Sequence, residues 1–240
     1  REIQFDRGRL LCWVVTPALI ALGYLCKETA VLVPLYILVM ELTLFRFKAN
    51  GKFSRCALVF SVVFLLIPGL AGSAVILMHP QPFFGSYAFR TYTLPERLMT
   101  EARVILDYLR WTFIPDITQM GLFHDDIVIS TGLLTPPTTL IAIAAIIAIL
   151  ALALLSLRKF PLLSFGILWF FAGQLLESTV LPLEIAYEHR NYLPIFGLIF
   201  GIIATVLLRV LRTNRIRETA AVLVACLVFL GAATRSEERR

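Results

Sequence analysis

Hydrophobic residues of this chain gather in seven long stretches that are separated by polar segments. The stretches cover residues 10–26, 29–45, 56–78, 133–157, 160–176, 191–208 and 219–234. Glu41 is the one charged residue inside them. A charge at mid-membrane is costly, and a spanning helix needs about 20 apolar residues. The pattern therefore predicts an all-α, polytopic bundle of about seven transmembrane helices, forming a single transmembrane domain over residues 1–240.

Composition and charge agree with this interpretation. The chain is 59% hydrophobic and 16% charged, against about 45–50% and about 25% in soluble globular domains. Alternate loops are rich in basic residues, which marks the cytoplasmic side of a membrane protein. The basic residues of these loops are Arg1, Arg7, Arg9, Arg46, Lys48, Lys52, Arg55, Arg158, Lys159, Arg209, Arg212, Arg215 and Arg217. They form no continuous stripe, so the net charge of +6 indicates topology and no nucleic-acid partner is predicted.

The opposite set of loops is then external, and the longest covers residues 79–132. Thr93, Pro95 and Glu96 form the pattern of a capping box at a helix start. The residues that follow indicate an amphipathic helix in the membrane interface plane. Its predicted apolar face is Leu98, Ala102, Ile105, Leu106 and Leu109; its predicted polar face is Glu96, Thr100, Arg103, Asp107 and Arg110. Arg97, Arg103 and Arg110 could contact lipid phosphates there, while a solvated polar face with an Arg103–Asp107 pair is the alternative.

Two further external features carry unusual charges. Lys27 and Glu28 form a charged turn between the first two spans, either as a helix-hairpin cap with a snorkelling lysine or as an anion-binding pair. His124, Asp125 and Asp126 lie together in the 79–132 loop. Adjacent acids beside a histidine can bind a divalent metal, and the same Gly-flanked sequence is typical of a turn. Both interpretations stay open. The four cysteines, Cys12, Cys26, Cys56 and Cys226, are interpreted as packing residues.

The richest cluster lies between the fifth and sixth spans. It comprises Glu177, Glu184, Tyr187, Glu188, His189, Arg190 and Tyr192. Ionisable groups at a membrane edge are costly unless they are paired or hydrated, so they are functional candidates. Arg190 can bind a phosphate through its planar guanidinium, and Glu188 or His189 can transfer a proton. A salt-bridged loop with interfacial tyrosine anchors is the alternative.

Three stretches carry a resemblance to a known family: 25–35 (LCKETAVLVPL), 96–103 (ERLMTEAR) and 188–194 (EHRNYLP). Over about residues 10–235 the chain resembles the bacterial relatives of the transmembrane protein O-mannosyltransferases. These are polytopic glycosyltransferases of the GT-C type, often followed by tetratricopeptide repeats. The resemblance implies a bacterial inner-membrane enzyme that transfers a sugar from a polyprenyl-phosphate donor to an acceptor on the external face, with a protein as one such acceptor.

The resemblance also implies roles for particular residues. Lys27, Arg103 and Arg190 would bind the donor phosphate, Glu188 and His189 would be the catalytic candidates, and the supporting residues would be Glu28, Glu177, Glu184 and Tyr192. The acidic base would lie before Arg1, so we expect the chain to be a fragment of a longer protein. An oligosaccharide ligase or polymerase acting on lipid-linked substrates and a non-enzymatic membrane scaffold are the alternatives. Transport is disfavoured because transporters place ionisable sites near mid-bilayer.

Overall fold

A computed structural model describes residues 10–49, 51–114 and 127–213, and most of these residues are helical. The chain divides into two compact units, Arg1–Gly85 and Ser86–Arg240. Strand structure in the described residues is confined to one small hairpin, in which β1 (Lys48–Ala49) pairs with β2 (Lys52–Phe53) in antiparallel register. Gly51 supplies the positive φ of 77° that the hairpin turn requires. The all-α part of the prediction is therefore confirmed.

The part of the first unit that the structure describes contains three long helices and one short helix: α1 (Leu11–Cys26), α2 (Glu28–Phe45), α3 (Arg55–Met78) and α4 (Gln81–Phe84). Lys27 alone joins α1 to α2, and its extended backbone (φ −154°, ψ 133°) breaks the helical course. Buried apolar residues in the described part of this unit include Leu32, Tyr36, Val39 and Phe60. At the far end of α2, the Glu41 carboxylate accepts a hydrogen bond from the Phe47 amide at 3.1 Å, so this charge stabilises the turn that follows the helix.

The second unit contains four long helices in its described residues: α5 (Leu94–Phe113), α6 (Thr138–Ser156), α7 (Pro161–Glu177) and α8 (Tyr192–Thr213). Helix α5 begins at the predicted capping box, where the Glu96 carboxylate accepts the Thr93 amide proton at 2.7 Å. Val104 and Tyr108 of α5 pack in one core with apolar residues of the other three helices, among them Phe170 of α7 and Leu198 of α8. The core therefore joins all four helices into one body.

Helices α7 and α8 approach each other closely because glycines line their contact. A Cβ atom placed on Gly201 would lie 2.5 Å from the carbonyl oxygen of Leu162 and 2.8 Å from the Cα of Gly166. Gly197 and Gly201 are four residues apart and so lie on one face of α8. Small residues at this spacing let helix backbones meet in a membrane, where packing replaces the hydrophobic effect as the attractive force.

Several described helices have the length and composition of membrane spans. Four are long and apolar enough to cross a bilayer: Glu28–Phe45, Arg55–Met78, Thr138–Ser156 and His189–Thr213. Leu11–Cys26 and Pro161–Glu177 are apolar but shorter. The predicted stretch 219–234 lies outside the described residues. Apolar helices of this kind are typical of a membrane protein, while the count of seven spans stays a prediction.

The buried face of α5 differs from the predicted one. The side chains buried along it are Arg97, Thr100, Glu101, Ala102, Val104, Tyr108 and Trp111. Leu98, which was assigned to the apolar face, is 42% exposed, whereas Thr100, which was assigned to the polar face, is fully buried. Burial of Thr100 was therefore not predicted, and the placement of this helix in the membrane interface plane stays a prediction. Hydropathy does not identify this buried face, because its polar side chains are buried through hydrogen bonds and ion pairs that hydropathy does not count.

Candidate functional site

The predicted cluster between α7 and α8 forms a loop, residues 177–191, that Arg97 of α5 holds in place. The fully buried Arg97 side chain donates through Nε to the carbonyl oxygen of Thr179 at 3.1 Å and through Nη2 to that of Glu177 at 2.9 Å. Its Nη1 donates to the carbonyl oxygen of Leu183 and, at 3.4 Å, to the Tyr92 hydroxyl. Its Nη2 also pairs with Glu101 Oε1 at 2.8 Å. Four of these contacts are hydrogen bonds, and the contact with Glu101 is an ion pair without hydrogen-bond geometry.

Arg97 was predicted as a possible contact for lipid phosphates, and this prediction was wrong. The guanidinium is fully buried and its donors are used within the protein. A buried arginine is tolerated only when it is paired and hydrogen-bonded, and loop carbonyls together with Glu101 provide those partners. Arg97 is therefore a structural residue whose hydrogen bonds hold the backbone of the 177–191 loop.

Polar side chains that precede or belong to α5 bind the same loop. Tyr92 donates from its hydroxyl to the carbonyl oxygen of Leu183 at 2.9 Å. Arg90 pairs with the Glu184 carboxylate at 2.5 Å and donates to the carbonyl oxygen of Pro182 at 2.9 Å. These bonds fix the middle of the loop, where irregular backbone would otherwise have unpaired carbonyl groups.

The end of the loop is fixed by Tyr108. Its hydroxyl accepts the amide proton of Tyr187 at 2.8 Å and donates to the carbonyl oxygen of the same residue at 3.0 Å. Tyr108 is buried to 2% exposure, and burial raises the pKa of its phenol. The hydroxyl therefore stays protonated and can act as donor and acceptor at once. This paired contact sets the position of the Glu188–Asn191 turn that follows.

Arg190 lies in that turn and pairs back onto the start of the loop. Its Nε is 3.2 Å from Glu177 Oε2, and its Nη1 donates to the carbonyl oxygen of Glu184 at 2.6 Å. The guanidinium carbon lies 4.7 Å from the centroid of the Tyr187 ring, within cation–π range. The side chain is 13% exposed. Arg190 therefore closes the loop on itself and keeps a small exposed edge.

Three arginine–carboxylate ion pairs lie among the described side chains of this region. The pairs are Arg90–Glu184, Arg97–Glu101 and Arg190–Glu177. Burial raises the pKa of Glu101 from 4.5 to about 7, against the opposing effect of the Arg97 guanidinium. Glu101 therefore binds a proton more readily than an exposed carboxylate does.

An open groove of about 580 Å³ begins at the Glu188–Asn191 turn and follows the first turns of α8. Its polar lining residues are Thr112 of α5 and His189 and Asn191 of the turn. Its aromatic and aliphatic walls are formed by Tyr108, Trp111, Tyr192, Ile195, Phe196 and Ile199. The volume falls within the range of small-molecule sites, which are mostly apolar with a few polar groups that set orientation. The arrangement suits a ligand with an apolar chain and a polar head.

The structure brings several predicted site residues together. Glu177, Glu184, His189, Arg190 and Tyr192 lie in or beside the 177–191 loop, and the Glu188 backbone belongs to the same turn. His189 is exposed, and its ring centroid lies 5.2 Å from that of Tyr187. Tyr192 is 83% exposed. The exposed groups able to meet a ligand are therefore at the mouth of the groove.

Arg103 does not line this groove. Arg103 donates through Nη1 to the carbonyl oxygen of Val128 at 2.7 Å and to Ser130 Oγ at 3.4 Å, so its contacts anchor the segment before α6. Lys27 and Glu28 are exposed and belong to the first unit. The metal candidates His124, Asp125 and Asp126 lie outside the described residues. Within residues 10–49, 51–114 and 127–213, His, Cys, Asp and Glu side chains form no group of three that could hold a metal ion.

Sequence reasoning missed the residues that shape the site. Arg97 and Glu101 are four residues apart, the spacing at which helical side chains pair, and this was the available signal. Trp111 and Phe196 line the groove, but an aromatic residue in an apolar helix gives no sign that it faces a ligand rather than lipid or core. No protein-family model, curated protein or solved structure matches this chain. The relation to the O-mannosyltransferases stays a prediction from the sequence motifs.

Proposed function

We propose that this chain belongs to a GT-C-type membrane glycosyltransferase that uses a polyprenyl-phosphate-linked sugar and acts on the external face of the bacterial inner membrane. The observation that carries the proposal is the groove beside the 177–191 loop. The groove places apolar side chains beside the EHRNYLP motif (188–194), one of the three stretches that carry the family resemblance. The seven-span topology, with the 177–191 loop external, is part of this proposal.

The groove has the two chemical properties that a polyprenyl phosphate needs. Trp111, Phe196 and Ile199 offer an apolar wall for isoprenoid units, and burial of that surface is favourable by about 25 cal/mol per Å². His189 and Asn191 offer hydrogen-bonding groups at the end where a headgroup would lie. An amphiphilic ligand is thereby oriented with its reactive end toward the loop.

Charge development in the reaction gives Arg190 and His189 their roles. When the sugar leaves, negative charge grows on the donor phosphate, and a fixed cation stabilises it. Arg190 would share its guanidinium between Glu177 and that phosphate. Phosphate binding by Lys27 and by Arg103 stays a prediction from the sequence. His189, or Glu188 beside it, would order the acceptor or move its proton. The acceptor, a protein among the possibilities, would approach from the external side.

A groove-filling variant tests lipid binding with a matched control. Ile199→Trp places a large ring in the groove, whereas Ile203→Trp makes the same change one helical turn further, at a 56% exposed position outside the lining. Full-length protein in membranes is labelled with a photoreactive polyprenyl phosphate. We expect labelling to fall at least tenfold in Ile199→Trp and to stay within twofold in Ile203→Trp. Equal labelling of both variants would show that the lipid does not bind in the groove.

Sugar transfer by the full-length protein tests the chemistry. Lys27→Ala and Arg190→Ala should each slow transfer at least 100-fold, and wild-type rates in both would defeat the phosphate-site assignment. His189→Ala separates a role in chemistry from one in binding, because it should lower kcat more than it changes donor labelling. Transfer of a preassembled chain of sugars would favour the ligase or polymerase interpretation, and absence of any lipid labelling would favour a scaffold.

Cysteine accessibility tests the topology. Lys27, His189 and Arg158 are each replaced by cysteine in separate variants, and intact cells are treated with a membrane-impermeant maleimide. The first two should react from outside, and the third only after lysis. Labelling of Lys27 and His189 from opposite sides would break the proposed external phosphate site.

A further inference from the structure

A second cavity lies at the other end of the α7–α8 pair from the 177–191 loop. It has a volume of about 310 Å³ and is lined by residues before and at the start of α7 and by the last turns of α8, including Lys159, Phe160, Leu162, Leu208, Arg209 and Arg212. Helix α7 has 17 residues, which corresponds to about 25 Å at 1.5 Å per residue. The two sites are thus separated by nearly the thickness of a bilayer core, which is about 30 Å.

The cationic side chains of this cavity converge on one ring. Lys159 Nζ lies 5.4 Å from the Phe160 ring centroid, and the guanidinium carbon of Arg209 lies 5.8 Å from the same centroid. Arg212 follows one turn of α8 further on. None of the described residues that line the cavity is acidic. Cations that line one cavity without an acidic neighbour among the described lining residues repel each other, and an anion bound there would attract all of them.

The apolar part of the lining indicates the kind of anion. Leu162, Leu208 and Phe160 form a hydrophobic wall beside the three cations, on helices whose outer surfaces are apolar. A soluble anion would gain nothing from that wall, whereas a phospholipid presents a phosphate and acyl chains together. Basic pockets between membrane helices on the cytoplasmic side bind the headgroups of anionic lipids, and the basic loops predict that this end of the pair is cytoplasmic.

We propose that the cavity at Lys159, Arg209 and Arg212 is a binding site for the phosphate headgroup of an anionic phospholipid, with the acyl chains against Leu162 and Leu208. This site is distinct from the groove at His189 and does not depend on sugar transfer. It would hold the start of α7 against the end of α8, on the face of the membrane opposite to the 177–191 loop.

The test uses the purified full chain in neutral detergent, titrated with phosphatidylglycerol or phosphatidylcholine and analysed by native mass spectrometry. We expect one phosphatidylglycerol to bind saturably, at least tenfold more tightly than phosphatidylcholine. Each cation near an anionic lipid contributes about fivefold in affinity, so Lys159→Gln and Arg209→Gln should each weaken binding about fivefold. Lys159→Arg should retain binding because it retains the charge.

Arg158 provides the matched control, because it is exposed and adjacent to Lys159 but does not line the cavity. Arg158→Gln should change affinity less than twofold. A loss equal to that of Lys159→Gln would show diffuse surface attraction and overturn the proposal, as would unchanged binding in both Lys159→Gln and Arg209→Gln. Competition by inorganic phosphate or glycerol phosphate at the lipid's own concentration would also overturn it, because the site would then recognise a soluble anion. Unchanged melting temperatures of the variants in neutral detergent show that each is folded.

Discussion

Arg97 provides the sharpest test of how the 177–191 loop is held. Replacing it with alanine removes the donors to the carbonyl groups of Glu177, Thr179 and Leu183 and leaves Glu101 buried without its cation. Breaking one partner of a buried ion pair costs about 3–5 kcal/mol, since the remaining charge stays desolvated. The exposure of the two side chains is 0% and 1%, so solvent offers neither of them a substitute. We therefore expect Arg97→Ala to lower the free energy of unfolding by about 3–5 kcal/mol.

The measurement is reversible unfolding of the detergent-solubilised protein, together with hydrogen exchange of peptides covering residues 177–191. The loop peptides should exchange faster in Arg97→Ala, because carbonyl partners that hold the backbone closed are gone. Arg110→Ala is the control on the same helix, at an exposed position in its last turn, and should cost less than about 1 kcal/mol. Arg97→Lys should fall between the two, because lysine keeps the charge but has three donors and no planar fork.

A small effect would refute this reasoning. If Arg97→Ala unfolds within about 1 kcal/mol of the wild type, the range expected of exposed ion pairs, the buried cluster is not what stabilises the loop. If stability falls but exchange of the 177–191 peptides does not change, Arg97 supports α5 packing and the loop is held by other contacts.

Three further predictions concern pH, packing and proximity. The pKa of Glu101 is about 7 in the folded protein and about 4.5 when unfolded, so the folded state binds the proton more tightly. Relative to Glu101→Gln, the wild type should therefore lose about 3 kcal/mol of unfolding free energy as pH rises from about 4.5 to about 7, and parallel pH curves would contradict this. In unfolding measurements, Gly201→Ala should lower the free energy of unfolding by about 1–3 kcal/mol, because the added methyl group forces α7 and α8 apart. Gly69→Ala is the control, since a Cβ added there meets nothing within 4 Å, and it should be neutral or stabilising by up to about 1 kcal/mol. Cys12 and Cys56, whose sulfur atoms are 3.4 Å apart, should form an intramolecular cross-link under mild oxidation, detectable by peptide mass spectrometry; recovery of both as free thiols would place α1 and α3 apart.

The ion pairs of the second unit show why the candidate site was only partly predictable. The sequence placed Glu177, Glu184 and Arg190 in one short loop, and chain connectivity alone keeps such residues near each other. Their partners Arg90 and Arg97 are 80 or more positions away. Nothing in local spacing or hydropathy indicates a contact at that separation, since it depends on how α5 packs against the end of α7.

The same distinction explains the error on α5. Hydropathy ranks Leu98 as buried and Arg97 as exposed, because it values each side chain by its transfer from water to an apolar medium. In the folded chain Arg97 is buried and Leu98 is 42% exposed. The transfer cost of the guanidinium is offset by its bonds to backbone carbonyls, and those carbonyls exist as partners only after the loop has folded over the helix.

The sequence by itself determined the helical class, the positions of the apolar helices, the capping box at Thr93 and the concentration of ionisable side chains in residues 177–192. Each of these follows from local rules: the run length of apolar residues, the spacing of charges and the chemistry of a helix start. Tertiary structure alone decided that Arg97 faces inward, that Trp111 and Phe196 form a groove with His189, and that Lys159 and Arg209 meet at Phe160. Those outcomes arise from contacts between residues distant in sequence, where packing and polar pairing override the preference of any single side chain.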